Sequence, residues 1–201
     1  MEPGVTNDLL PDDQGAELGD FTLTLRELRL VPLALIVGAL GTIIAVVLLD
    51  LIGLVTNVSY FGRIDVKLVQ PPEGLGPASV LIPVVGGLLI GLMARYGSER
   101  IRGHGIPEAM ESILVGGSKV EPRLAVLKPI SSAISIGTGG PFGAEGPIIM
   151  TGGAIGSLIG QLGHLSAAER KTLLVAGAAA GMTAVFGTPL AAVLLGSELL
   201  L

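Results

Sequence analysis

A single carboxylate, Glu145, stands in the stretch SIGTGGPFGAEGPIIMTGG, residues 135–153, surrounded by glycines and prolines and flanked by apolar segments. A buried charge is costly unless something pairs or neutralises it, and glycines weaken helices, so the combination needs a chemical reason. Glycines followed by a proline and an apolar run are the signature of a helix start, because proline at the first helical position gives up an N–H that has no partner there anyway. A helix start also presents unpaired amides and the positive end of the helix dipole, and glycines let a ligand reach that backbone. It is therefore a natural anion site. The same order recurs in GHGIPE, residues 103–108. Two such starts, some forty residues apart at Pro107 and Pro147, could converge on one anion. Glu145 would then be an anion at the mouth of an anion site. It could occupy the site when the ion is absent and give it up on protonation, which describes a gate and a potential proton carrier. The alternative is a glutamate that only caps the first turn of a helix over 147–162, favoured by the dipole.

The elements that must hold these residues follow from composition. Half of the 201 residues are hydrophobic and 14% are charged, against about 25% charged in an ordinary soluble domain. The 31 glycines and 13 prolines would suggest disorder in a polar chain, but disorder requires low hydrophobicity. High apolar content with frequent Gly and Pro is what membrane helices tolerate. The expectation is an all-α, polytopic membrane protein with broken or tilted helices. A net charge of −5 offers nothing to nucleic acid, and the absence of cysteine excludes disulfides and thiolate metal sites. His104 and His164 lack the spaced partners that a metal needs.

Along the chain, residues 1–29 form an acidic, Pro/Gly-containing polar tail without the basic start and apolar core of a signal peptide. Residues 30–55 are long enough to cross the bilayer with tilt, and a shorter span over 78–94 ends at Arg95, Arg100 and Arg102. Charge bias places that basic cluster in the cytoplasm, and two crossings put the tail there as well. Beyond it the apolar segments are short: 106–115, 124–136, 147–162, 173–185 and 189–201. They read as half-helices. Gly152, Gly156 and Gly160, with Gly177 and Gly181, are spaced for close helix packing.

At GHGIPE and GAEGP the chain resembles the CLC family of chloride channels and chloride/proton antiporters, whose corresponding motifs are G-S-G-I-P and G-R-E-G-P. Residues 173–199, LLVAGAAAGMTAVFGTPLAAVLLGSEL, resemble the segment that follows them, and the likeness runs from about residue 30 to 201. The resemblance implies anion transport rather than enzymatic catalysis, with no cofactor, and a homodimer in a bacterial plasma membrane. Each subunit would carry a pore built from two inverted repeats, with 30–201 supplying the first. It implies that Glu145 is the gate, that Gly143, Ala144, Gly146 and Pro147 line the outer anion site, and that Gly103, His104, Gly105, Ile106 and Pro107 line the central one. Lys128 falls where the family often carries a buried lysine that draws anions into the pore. An ionisable residue inside an apolar segment is a functional candidate on its own account. The other reading of Lys128 is a lysine snorkelling from a segment end.

Three departures bear on selectivity and coupling. His104 replaces the family's central-site serine, which leaves chloride, fluoride and polyatomic anions open. Ala144 replaces the arginine of the second motif. Leu199 stands where antiporters carry a proton-relaying glutamate, and Glu198, one residue earlier, lies about 100° away around a helix. This leans towards a passive pathway over a proton-coupled one. The final residues, GSELLL, end in mid-helix, as expected of a fragment holding half a pore. Two rival classes complete the reading. An intramembrane serine protease would need Ser118 and His164 at membrane depth, yet both lie beside charged residues in what read as aqueous loops. A non-transporting assembly module would follow from the missing half.

Overall fold

The computed structural model describes residue 28, residues 30–103 and residues 105–200. The polar tail expected over 1–29 lies outside the described residues, Leu28 apart, as does His104. Among the described residues seven α-helices run in order: α1 (Leu30–Thr56), α2 (Leu81–Tyr96), α3 (Ile106–Leu114), α4 (Pro122–Gly137), α5 (Glu145–Leu162), α6 (Ala167–Phe186) and α7 (Pro189–Leu199). No strand occurs among the described residues.

The outer helices are apolar on faces that no protein covers. The 27 residues of α1 rise about 40 Å, more than the ~30 Å hydrocarbon core, so the helix can cross with tilt. Its buried positions, Val37, Gly41, Ala45, Leu48 and Ile52, recur every three or four residues and form one stripe. Elsewhere Leu35 is 71% exposed and Ile43 58% exposed. Only 28% of the apolar stretch of α1 is buried, and 11% of that reaching from Pro77 through α2. A core helix of a soluble protein would be mostly buried, whereas these faces suit lipid. At its C-terminal end α1 passes into a π-helical turn, Asn57–Phe61. The fully buried Asn57 folds the following loop back there: its side-chain amide donates to the carbonyls of Gly53, Asp65 and Lys67, and its oxygen accepts from Arg63 Nε.

The centre is formed by α5 and α6, packed on α1 and α4. Their approach is set by glycine. A Cβ at Gly152 would collide with the Gly177 carbonyl, one at Gly177 with the Gly152 carbonyl, and one at Gly156 with the Leu173 carbonyl. The expected small-residue spacing therefore works as a backbone-to-backbone contact surface. The segment expected over 173–185 begins earlier, at Ala167, because Ser166 and Glu169 form a capping box in which each side chain accepts from the other's backbone N–H.

The connection from α3 to α4 is clamped onto this core. Ser157 Oγ donates to the Ser118 carbonyl at 2.6 Å and accepts from Val120 N at 3.0 Å. Gln161 Nε2 donates to Val120 O, and the Arg170 guanidinium donates to the carbonyls of Gly117 and Leu165. Ser118 is consequently 2% exposed, not in an aqueous loop as its charged neighbour suggested, while His164 is exposed as expected.

The glycine contact yields a paired prediction. Gly152→Val should lower the thermal midpoint of the purified protein in detergent by an amount equivalent to about 1–3 kcal/mol, the usual cost of overpacking. Gly91→Ala, where an added Cβ meets open space, should leave the midpoint unchanged or slightly raised. Equal behaviour of the two, followed by circular dichroism, would remove the backbone contact as the reason for these glycines.

Candidate functional site

The two proline-led helix starts meet. Gly105, the residue before α3, has φ +96°, a conformation that side-chain-bearing residues rarely adopt, and a Cβ there would collide with the carbonyl of Gly146 in the first turn of α5. Backbone thus lies on backbone at the junction, and only glycine fits.

The α3 side of the junction is held by charged side chains that are not themselves at its surface. Glu108 reaches back one turn to accept the Gly105 N–H at 2.7 Å. Its carboxylate also fills the space beside Gly103, where φ is +100°. Lys128 sits in the interior of α4 and is 1% exposed, so the snorkelling reading fails. Its ammonium donates to the carbonyls of Ile101 at 3.0 Å and Gly103 at 2.9 Å. The turn is gripped by its carbonyls from one side and by an amide from the other, and the Glu108 carboxylate also acts on Lys128 electrostatically. The Gly105 N–H, expected among the anion ligands, is therefore already engaged within the protein.

The α5 side is different. Helix α5 opens at Glu145, two residues before the expected Pro147, and no side chain caps it. Gly146, its second residue, is buried, and Pro147, its third, has no N–H to offer. Glu145 is exposed, not enclosed as a carboxylate in an apolar stretch was expected to be. It stands on the wall of a cleft of about 670 Å³ that also takes in Gly103, Ile106, Gly143, Gly146 and Pro147. Of the remaining expected residues, Gly105 and Lys128 are buried, Ala144 is half-buried immediately before α5, and Pro107 is exposed on α3.

Sequence reasoning passed over several residues that shape the cleft. Ser132 and Ser135 bring hydroxyls from α4 beside Ser131, whose own hydroxyl donates to the Lys128 carbonyl, and Arg102 brings a positive charge. The serines had a visible signal: polar residues three and four apart, on one helical face of an otherwise apolar segment. Tyr60 had none. Its hydroxyl donates to the Thr138 carbonyl at 2.9 Å and lies against Gly139, whose φ is +91°. On the other side the Thr138 side chain fills the space over Gly86 of α2. The turn leading to Glu145 is thus held between the π-helical turn after α1 and α2, and the Tyr60–Thr138 pairing, 78 residues apart, is one that local pattern does not reveal.

Comparison with known proteins adds an independent line. Residues 86–201, more than half of the chain, match the voltage gated chloride channel family. The chain is 36% identical over 118 residues to a chloride channel protein described as ClcB-like from Ralstonia nicotianae, covering 57% of this chain and 28% of the relative. It is 30% identical over 145 residues to the voltage-gated ClC-type chloride channel ClcB of Yersinia pseudotuberculosis, covering 70% of this chain and 34% of the relative. It is 36% identical over 121 residues to the H(+)/Cl(-) exchange transporter ClcA of Citrobacter koseri, covering 58% of this chain and 24% of the relative. The chain thus spans 24–34% of the length of these relatives. No solved structure matches it.

The grip on the α3 turn can be tested by stability. Lys128→Met removes two charge-assisted hydrogen bonds and should destabilise by about 3 kcal/mol in thermal unfolding. Glu108→Ala should destabilise more than Glu108→Gln, because the glutamine carbonyl can still accept the Gly105 N–H. If the two Glu108 variants melt alike, the cap is not what Glu108 supplies.

Proposed function

Because the chain belongs to the voltage-gated chloride channel family, we propose that it forms part of a membrane pathway for chloride or a similar small anion, and that the anion rests in the cleft where the starts of α3 and α5 meet. The observation that carries this reading is the uncapped start of α5, with Glu145 as its first residue, on the wall of that cleft. Unpaired amides and the positive dipole end there attract an anion, and Arg102 on the same lining adds to the positive potential. Glu145 acts as the gate. Its carboxylate competes for the α5 start while ionised and withdraws when protonated. Lys128 and Glu108 act one layer behind, by holding the α3 turn against Gly146. The names of the relatives support a small monovalent anion as the cargo.

On this reading residues 30–201 supply the first of two inverted repeats, residues 1–29 are a cytoplasmic tail, and two copies associate in a bacterial plasma membrane, each with its own pore. The chemistry is binding and release, with no bond made or broken in the solute.

Coupling to protons is the second reading, favoured by the 36% identity to a relative named as an H(+)/Cl(-) exchange transporter. Against it, Glu198 on α7 is exposed and the position expected for a proton-relaying glutamate is Leu199. We favour passive flow.

Two measurements on the full-length gene product in chloride-loaded vesicles check these statements. Glu145→Gln should raise chloride efflux about tenfold at neutral pH, equivalent to ~1.4 kcal/mol of lost competition, and should flatten the pH response of the parent. Unaltered efflux with an unaltered pH response would end the gate assignment. An imposed chloride gradient should drive no proton movement against a proton gradient, whereas stoichiometric proton uptake would establish the exchanger instead.

A further inference from the structure

In the described helices, Ser and Thr hydroxyls generally answer to their own backbone. Thr42, Thr56, Thr138, Thr151, Thr172 and Thr183 each donate to the carbonyl four residues earlier. Ser131 of α4 donates to the carbonyl of Lys128 at 3.0 Å. Its neighbours Ser132 and Ser135 break the pattern. Neither hydroxyl has a hydrogen-bond partner among the described residues, although Ser132 is only 8% exposed. No buried side-chain oxygen or nitrogen among the described residues lacks a partner, so the unpaired hydroxyl of the otherwise buried Ser132 reaches the surface of the cleft, where only a solute or water can meet it. Both residues line the same cleft as Glu145 and Gly146. They are three residues apart, hence on one face of α4.

We propose that Ser132 and Ser135 are anion ligands, donating their hydroxyl hydrogens to the same ion that the start of α5 attracts. The proposal rests on the anion-pathway reading of the cleft and adds to it the side chains that set affinity and selectivity. A hydroxyl is a neutral donor that can rotate onto an acceptor. Two of them on one wall, with the α5 amides at another and Arg102 on the same lining, give a site for a compact hydrogen-bond acceptor. Ser131 provides the internal control: it is adjacent in sequence, also buried, and its hydroxyl is already engaged.

The test is isothermal titration calorimetry of potassium chloride into the purified full-length gene product in detergent, with ionic strength held by a large organic anion. Ser132→Ala should weaken chloride binding about fivefold, the value of one hydrogen bond. The Ser132→Ala/Ser135→Ala double variant should weaken it roughly twenty-fivefold if the two act independently. Ser132→Thr, which keeps a hydroxyl, should restore near-parental affinity. Ser131→Ala should lower the melting temperature while leaving affinity intact. Parental affinity in both the Ser132→Ala and the double variant overturns the proposal alone. A parent protein that binds no chloride overturns the anion reading and this proposal together. Loss of affinity in Ser131→Ala equal to that in Ser132→Ala would mark the effect as general damage to α4 and also count against it.

Discussion

A helix that ends inside an apolar layer must leave its first amides to something, because neither lipid nor hydrocarbon side chains can accept a hydrogen bond. Here two helix starts are brought into backbone contact, and the demand is met in two ways. At α3 the protein satisfies itself: Glu108 takes the Gly105 amide, and Lys128 takes the carbonyls just upstream. At α5 it does not, and the start opens into the cleft with no side-chain cap. The asymmetry means that one end is architecture and the other is available to a solute.

That division depends on precise placement of α5, and the glycines provide it. Gly152 and Gly156 lie on the backbone of α6 without intervening side chains, so the helix cannot slide without a collision. Its N-terminal approach is fixed separately. The turn before Glu145 is held through Tyr60 from the π-helical turn after α1 and through the Thr138 contact with Gly86 of α2. The two lipid-facing helices, which have no part in the cleft chemistry through charge, therefore still determine where Glu145 stands.

How much of this was readable in the sequence depended on the range of the interaction. The helix starts at Ile106 and Pro189 and the long span of α1 follow from local glycine, proline and apolar order, whereas the contact of Gly105 with Gly146 was open as a possibility that only the fold closes. Boundaries shifted where a side chain overrode the apolar pattern, as Ser166 and Glu169 did in starting α6 at Ala167. Ser118 was misplaced because the charged Lys119 beside it suggested water, whereas Ser157 and Arg170, 39 and 53 residues away from their partners in that loop, draw it inward. The engagement of the Gly105 amide was in principle visible as a glutamate three residues after the cap position. It was hidden by the expectation that every amide at such a start faces a ligand.

The distribution of charge around the cleft bears on what kind of site it can be. A conducting site must bind strongly enough to draw an ion from water and weakly enough to release it. A lysine in direct contact would hold a small anion too well, and at this depth its own desolvation would have to be compensated. The Lys128 ammonium lies instead on two backbone carbonyls, near Glu108, so its charge is already satisfied within the protein. What faces the cleft from α4 is hydroxyl rather than ammonium. Glu145 is the one acidic group among the described residues lining that cleft, and it stands exposed at the uncapped start of α5.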